Sequence, residues 1–180
     1  VVGVDGAASW QFYQRGLWLS GLRLAESLLL RWDDETDLSV DMTGKHPLMK
    51  IQAHSEKGRK CRVLPITPDF AEFLLAVPEE LRTGFVFNPR PRRPPFKVRL
   101  GVNMTSRTIG DIGRRAGVKV AQYPPKPGKT DPSIVTASAH DFRRAFGFRW
   151  AQKVMPVVLQ QLMRHESIQT TMQFYVGRQA

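Results

Sequence analysis

Proline placement is the feature that most constrains how this 180-residue chain can fold. Two stretches, PRPRRPPFKVRLG at 89–101 and QYPPKPGKTDPS at 122–133, concentrate this residue. Proline lacks the backbone N–H and its ring blocks a helix interior, so both stretches should resist regular structure. We therefore expect most of the helices and strands to lie outside them.

Helix should dominate the rest of the chain. Residues 9–31 predict two helices separated by a turn at SGLR, 20–23. Four later helical segments are predicted: PDFAEFLLAV (68–77), MTSRTIGDIGRRAGV (104–118), TASAHDFRRAFGFRWAQ (136–152) and PVVLQQLM (156–163). Pro68 and Pro156 suit the first turn of a helix, and Gly117 suits a helix end.

Strand content should be small. LMKIQAH (48–54) and CRVLPIT (61–67) predict two short strands joined by the hairpin loop SEKGRK, 55–60. FVFNP (85–89) is either one more strand or an extended connector, and DDETDLSVDMTGKHP (33–47) is polar and turn-rich. The predicted fold class is therefore mainly α with a small antiparallel β-sheet, an α+β fold.

Charge is the strongest compositional signal. The chain has 27 Lys and Arg against 16 Asp and Glu, a net charge of +11 and a pI near 10.4. Such a balance favours a polyanionic partner, nucleic acid first and an anionic membrane surface second, although solvated basic faces are also common. No basic helix with a continuous apolar stripe is visible, which disfavours the membrane. The arginine-rich stretch at 89–101 is either an exposed insertion or a contact to a DNA backbone.

Length and apolar content favour a single folded domain. An apolar fraction of 42% suits a folded chain with a substantial core. The longest apolar run ends at Arg31, far short of a membrane span, and no secretory signal is visible. A single cysteine, Cys61, excludes an internal disulfide framework and fits a reducing cytoplasm. Because the first residue is Val1, we expect a fragment of a longer protein.

The stretch HESIQTTMQFY places His165 and Tyr175 ten positions apart near the end of the chain. In one straight helix their side chains would lie about 15 Å apart along the axis and about 80° apart around it. They could contact one small group only if the chain bends, and Ser167 is a candidate helix cap at such a bend. The alternative is a surface histidine and a half-buried aromatic side chain.

Other candidate residues are ambiguous one by one. His140 and Arg143 share a helix face and could bind two oxygens of one anion, or could be a solvated pair. Arg23 and Glu26 could be a surface ion pair, or Glu26 could hold an arginine that contacts a phosphate. Lys57 is either an exposed turn lysine or one that a hairpin brings into a groove.

The order of these residues is more specific than any of them alone. An arginine, a hairpin lysine, a His-x-x-Arg motif, a histidine and a tyrosine occur in sequence across a basic, helix-rich chain. This order resembles the catalytic domain of the tyrosine site-specific recombinases, the phage integrase family. The resemblance extends from GLRLAESLLLRW through EKGRKCRVLPI and HDFRRAF to LMRHESIQTTMQFY. Two insertions, at about 88–100 and 121–134, lie outside it.

The resemblance implies a site and a reaction. Six positions match the family's catalytic residues: Arg23, Lys57, His140, Arg143, His165 and Tyr175. Glu26 matches an acidic residue that supports the first arginine. Tyr175 would attack a DNA phosphodiester to give a 3′-phosphotyrosyl link and a free 5′-hydroxyl, and a second 5′-hydroxyl would reverse the step after strand exchange. This reaction requires no cofactor.

Elementary chemistry agrees with these roles. Two guanidiniums can bind the phosphate oxygens that gain charge during attack. Nearby arginines and a histidine that accepts a proton should favour the phenolate of Tyr175, and Lys57 could protonate the departing alkoxide. The four histidines and one cysteine show no metal-ligand spacing, so no metal is implied.

The family resemblance also sets expectations beyond the site. Residues 1–180 would be a C-terminal catalytic domain that lacks the N-terminal DNA-clamping domain. The partner would be double-stranded DNA, with assembly into a tetramer on paired sites, a monomeric state when free, and a cytoplasmic, nucleoid-associated location. The biological context would be DNA integration by a mobile element. The alternatives are a type IB topoisomerase-like enzyme and a non-catalytic DNA-binding module derived from an integrase.

One position departs from the family pattern. Arg164 stands where the family usually has glycine before the later histidine. Glycine there permits tight backbone geometry, so arginine makes the placement of His165 less certain. An additional phosphate contact by Arg164 is the alternative role.

Overall fold

Seven helices and six strands form in the part of the chain that the structure, a computed structural model, describes: residues 4–33, 36–55, 61–91, 98–125, 127–128 and 130–176. The helices are α1 (Val4–Ser20), α2 (Leu24–Leu29), α3 (Pro68–Leu75), α4 (Val102–Arg115), α5 (Ala139–Trp150), α6 (Pro156–Met163) and α7 (Ile168–Val176). The strands are β1 (Leu30–Arg31), β2 (Leu38–Asp41), β3 (Leu48–Ile51), β4 (Arg62–Pro65), β5 (Lys119–Tyr123) and β6 (Ser133–Thr136). The predicted class, mainly α with a small antiparallel sheet, is confirmed.

The larger apolar core forms around α1. Trp10, Tyr13 and Leu17 project from this helix at spacings of three and four residues, and all three are buried. The Tyr13 hydroxyl lies 2.8 Å from Ser27 Oγ, which joins α1 to α2 inside the core. Helices α3 and α5 also pack against α1. The turn that carries Arg23 is therefore anchored on both sides by buried contacts.

A second, smaller core joins the last three helices. It consists of Phe146 from α5, Leu159 and Met163 from α6, and Phe174 from α7. The rings of Phe148 and Phe174 meet edge to face with centroids 5.0 Å apart. This cluster determines where α7, and with it Tyr175, lies.

The first sheet contains two strands that the sequence did not predict. Its order is β1-β2-β3-β4, with β1 parallel to β2 and the other pairs antiparallel. The helix predicted to run to residue 31 ends earlier because Leu30 takes an extended conformation and pairs with Leu38. Strand β2 lies within the polar stretch 33–47, where Leu38 and Val40 are both buried. Tertiary burial therefore outweighs local pattern in both places.

The second proline-rich stretch is bracketed by a hairpin. Strands β5 and β6 pair antiparallel and enter the predicted insertion 121–134 from both sides, while its prolines lie in the connection between them. The expectation of irregular structure was therefore wrong for Gln122, Tyr123 and Ser133. In the first proline-rich stretch, residues 92–97 lie outside the described part. Residues 85–89 form a connector, with one bridge from Phe85 to Arg31.

The remaining predicted helices form, but α5 is shorter than predicted, since Thr136 lies in β6 instead. Helix α3 begins at Pro68 and α6 at Pro156, as expected for proline in a first turn. Helix α4 is followed by Gly117 with a φ of 66°, the left-handed conformation typical of a helix end. Within the described ranges, no helix has the length and apolar character needed to span a membrane.

The contact between α5 and α7 leads to a stability prediction. Gly147 faces Phe174, and a β-carbon at this position would lie 2.5 Å from the ring. We expect Gly147→Ala to lower the free energy of unfolding by about 1–3 kcal/mol, because Phe174 would have to move. Urea denaturation measures the change.

Gly110→Ala is the matched control. Gly110 is also inside a helix, α4, but a β-carbon there meets no described atom within 4 Å. This substitution should raise the free energy of unfolding by about 0.5–1 kcal/mol. Equal effects of the two substitutions would contradict the proposed packing of α7 on α5.

Candidate functional site

Arg23 occupies the turn that precedes α2. Its backbone N–H donates to Glu26 Oε2 at 2.8 Å, and its Nη1 donates to Glu26 Oε1 at 2.7 Å. The Arg23 side chain is 39% exposed, whereas that of Glu26 is only 9% exposed. The predicted pairing is thus present in the structure. The carboxylate of this pair is buried rather than solvated, and it holds the Arg23 guanidinium at the surface.

Arg143 lies one turn into α5 and is buried. Its Nη1 donates to the carbonyl of Gly21 at 2.5 Å, and its Nη2 donates to the carbonyl of Met163. These carbonyls satisfy donors but leave the positive charge uncompensated. Burial, together with the neighbouring Arg164 and Arg23, therefore lowers the pKa of Arg143.

A cleft of about 340 Å³ brings three of the predicted residues together. It is lined by Leu22, Arg23, Leu24, Ser106, Ser138, Ala139, His140 and Arg143. His140 is exposed in the first turn of α5, one turn before Arg143. The cleft can therefore present donors from α2 and α5 to one small anion, which is the geometry that the His-x-x-Arg spacing suggested.

Helix α6 ends in a left-handed turn at Arg164. The φ and ψ of this residue are 54° and 44°, the conformation that glycine usually supplies. The N–H groups of Arg164 and His165 donate back to the carbonyls of Gln161 and Gln160 at 3.1 Å each. The backbone geometry expected for glycine is thus formed with arginine, at a strain of about 1 kcal/mol.

The side chain of Arg164 is directed inward. It is fully buried, its Nη2 lies 2.6 Å from Glu26 Oε2, and its Nη1 donates to the carbonyl of Leu162 at 3.1 Å. The suggested phosphate contact is therefore not the role of Arg164 in this structure. Burial alone would raise the pKa of Glu26, but Arg164 and Arg23 outweigh it and lower that pKa to about 2.

His165 follows the turn and is half-buried beside the arginines. Its Nδ1 lies 2.9 Å from Thr171 Oγ1, and its ring stacks on Phe174 with centroids 6.0 Å apart. Burial and the charges of Arg143, Arg23 and Arg164 lower the pKa of His165 to about 4. The imidazole is therefore neutral near pH 7 and available as a proton acceptor.

The chain bends after His165, as predicted. Ser167 Oγ accepts the N–H of Gln169 at 3.2 Å, so Ser167 caps the start of α7. Tyr175 lies on α7, and its hydroxyl donates to the carbonyl of Val154 at 2.7 Å. The two side chains thus have separate partners in this structure.

The expectation for the Tyr175 phenol was wrong for this conformation. Nearby arginines were expected to favour the phenolate, but burial raises the pKa of Tyr175. The partner of the hydroxyl is a backbone carbonyl, which favours the protonated phenol. Among the described residues, the cleft of Arg23 and Arg143 is not lined by Tyr175. Lys57 lies outside the described residues.

Two features of the site were not predicted from the sequence. Ser106 lines the cleft from α4, and exposed serine on a helix carries no signal that would reveal this. The pairing of Arg164 with Glu26 was missed because 138 positions separate them. The unusual arginine at a glycine position was the available signal, but its partner could not be read from it.

These features agree with a comparison of the sequence with family models. The phage integrase family model matches residues 15–180. The chain belongs to the phage integrase family. A comparison with curated proteins gives no significant match.

Two solved structures share the fold. The Tn1549 transposon integrase in complex with transposon right end DNA is 17% identical, with a TM-score of 0.56 over 97% of this chain and 56% of that chain. The XerA recombinase is 20% identical, with a TM-score of 0.54 over 96% of this chain and 58% of that chain. The family member described here thus spans little more than half the length of these matched chains.

The surroundings of His165 predict a pH dependence of stability. Its pKa is about 4 in the folded chain and 6.5 ordinarily. Between these values the unfolded chain binds a proton that the folded chain does not, so stability should fall as the pH falls from about 6.5 to about 4. The difference in unfolding free energy between the protein and His165→Gln should therefore shrink over this window. Urea denaturation at a series of pH values tests this, and a constant difference would contradict it.

Proposed function

We propose that this chain is the catalytic domain of a site-specific DNA recombinase of the integrase type. The observation that carries the proposal is the cleft in which Arg23 and Arg143 lie together with His140. The proposal extends to the domain assignment, since residues 1–180 would act with a separate DNA-clamping domain. Family membership and the fold shared with a DNA-bound transposon integrase support it.

Charge balance supports a phosphodiester as the substrate. Arg23, Arg143 and Arg164 surround the single carboxylate of Glu26, which leaves two positive charges in a largely buried site. A phosphodiester carries one negative charge, and a second develops as a nucleophile attacks the phosphorus. Preformed guanidiniums therefore stabilise the transition state more than the ground state.

The proposed cleavage step assigns a role to each residue. The Tyr175 oxygen forms a bond to phosphorus, its proton passes to a base, and the bond from phosphorus to the 5′ oxygen breaks. His165 is neutral and is the candidate base. Arg23, Arg143 and His140 bind the non-bridging oxygens, and Lys57 donates a proton to the departing 5′ oxygen. Attack by a second 5′-hydroxyl reverses these bond changes and completes strand exchange.

Tyr175 must leave its present partner before it can attack. Its hydroxyl donates to the carbonyl of Val154, and α7 is held on α5 by the contact between Phe174 and Gly147. Cleavage therefore requires a movement of α7 that transfers the hydroxyl into the cleft, where the arginines would lower its pKa. DNA binding is the step proposed to drive this movement.

The proposed partner is double-stranded DNA. The net charge of +11 favours a polyanion, and four of the matched structures, all of the Tn1549 transposon integrase, were solved with DNA. Assembly into a tetramer on paired DNA sites and a nucleoid-associated location follow from recombination between two duplexes and belong to the same proposal.

Covalent capture tests the nucleophile. The protein is incubated with a pool of nicked duplexes randomised around the nick, so that cleavage releases a short fragment and traps the adduct. Denaturing gels detect adducts, and sequencing of recovered DNA supplies one defined duplex for rate measurements. Tyr175→Phe should reduce the adduct to background, because only the attacking oxygen is lost.

Tyr123→Phe is the matched control for this test. Tyr123 is 57% exposed on β5, and its substitution should leave adduct formation unchanged. Adduct formation by Tyr175→Phe at the parental level would overturn the assignment of the nucleophile. If the parent binds DNA but forms no adduct with any duplex, the chain is instead a non-catalytic DNA-binding module.

A substrate with a better leaving group tests whether Lys57 is the general acid. Lys57→Ala should cleave about 10²–10⁴-fold more slowly than the parent, the usual contribution of a general acid. A duplex with sulfur in place of the bridging 5′ oxygen should restore the rate, because a thiolate leaves without protonation. Single-turnover cleavage of both duplexes measures the effect, with the exposed Lys45→Ala as the control. Absence of rescue would remove Lys57 from this role.

A further inference from the structure

We propose that Arg164 is a positioning residue for DNA cleavage, which acts through Glu26 to hold Arg23 at the mouth of the cleft. The inference rests on the proposed recombinase function. It assigns a role to a residue that stands where the family pattern has glycine and that makes no direct contact with the cleft surface.

The geometry forms a continuous bridge between two helices. Arg164 binds Glu26 Oε2 at 2.6 Å, and Glu26 Oε1 binds Arg23 Nη1 at 2.7 Å. The other end of the Arg23 guanidinium returns to the same turn, since its Nη2 donates to the carbonyl of Arg164 at 3.2 Å. Arg164 is thus linked to Arg23 in two ways. Its side chain shares the Glu26 carboxylate with Arg23, and its backbone carbonyl accepts a hydrogen bond from Arg23 directly.

The two ends of this bridge differ in their exposure to solvent. The Arg164 side chain is completely buried and that of Glu26 is 9% exposed, whereas Arg23 is 39% exposed. The first pair therefore forms a rigid support, and the exposed guanidinium is the part that DNA can reach. The carboxylate bridges the two arginines, with Oε1 on the Arg23 guanidinium and Oε2 on both Arg164 and the Arg23 backbone N–H, and this restricts the orientation of both side chains.

Loss of Arg164 would change the hydrogen-bond partners of the Glu26 carboxylate. Glu26 would remain buried with Arg23 as its principal cationic partner. Oε2 would keep the Arg23 backbone N–H but would now compete with Oε1 for the Arg23 guanidinium. Arg23 would be drawn toward Glu26 and away from the phosphate position. A displacement of about 1 Å at such a site can reduce a rate by about a hundredfold.

The test compares three substitutions on the duplex recovered by covalent capture. Arg164→Gly favours the left-handed backbone but removes the ion pair, so the single-turnover cleavage rate at saturating DNA should fall by about 10–100-fold. DNA affinity should change by less than about threefold, since the Arg164 side chain is buried. Arg164→Lys retains the charge and should recover much of the rate. Arg164→Gln replaces Arg164→Gly if the latter does not fold.

A double-mutant cycle distinguishes positioning from a general structural effect. If Arg164 acts through Glu26, then Glu26→Gln combined with Arg164→Gly should cleave no more slowly than the slower single variant. Arg82→Gly is the control for loss of an arginine that, among the described residues, donates to backbone carbonyls, those of Val77 and Leu75, and its rate should match the parent.

The pH dependence of cleavage supplies a second readout. His165 faces Arg143 from α5, Arg23 from the turn before α2, and Arg164 from α6, together with Thr171 and Phe174 from α7. Removal of Arg164 should move the acid limb of the cleavage profile to higher pH, because one of three cations near the imidazole is lost.

The outcomes separate this inference from the proposed function. If the parent forms no adduct with any duplex, the recombinase proposal fails and the inference fails with it. If the parent cleaves and a folded Arg164→Gly or Arg164→Gln variant cleaves at the parental rate, only the inference is overturned. Additive losses in the double variant would also overturn it, since Arg164 would then act independently of Glu26.

Discussion

One buried carboxylate organises the charged half of this molecule. Glu26 lies between Arg23 and Arg164, and its pKa of about 2 reflects arginine charges that outweigh the effect of burial. Without it, three guanidiniums would face one another across the junction of α2, α5 and α6, with backbone carbonyls as their main partners. Glu26 reduces this repulsion but does not abolish it. The remaining positive charge is available to an anion in the adjacent cleft.

The two apolar cores position different parts of the site. The larger core around α1 holds the turn of Arg23, and the smaller core of Phe146, Leu159, Met163 and Phe174 holds the last three helices. Arg143 connects the two, because it donates to the carbonyl of Gly21 on one side and of Met163 on the other. The cationic cleft is thus supported from both cores, whereas Tyr175 depends on the smaller one. This arrangement agrees with the proposal that the cleft binds a phosphate and that a movement of α7 delivers Tyr175.

Local signals in the sequence were reliable where a residue acts within its own element. Proline at helix starts, Gly117 at a helix end and Ser167 at a cap all function through neighbouring backbone atoms, so their effects could be predicted. Strands β1 and β2 could not be predicted in the same way. The burial of Leu30, Leu38 and Val40 comes from partners distant in the chain, and it outweighs the helical pattern before residue 31 and the polarity after it.

The sequence by itself determined the family and the helical class, because those depend on residue type and order, and it predicted which residues could bind an anion. It also showed that position 164 is unusual. Only the tertiary structure decided that the side chain of Arg164 is directed inward to Glu26, and that the hydroxyl of Tyr175 meets the carbonyl of Val154. Both depend on how α6 and α7 pack against the rest of the chain. Charges separated by more than a hundred positions acquire an interaction energy only when folding brings them within a few ångströms.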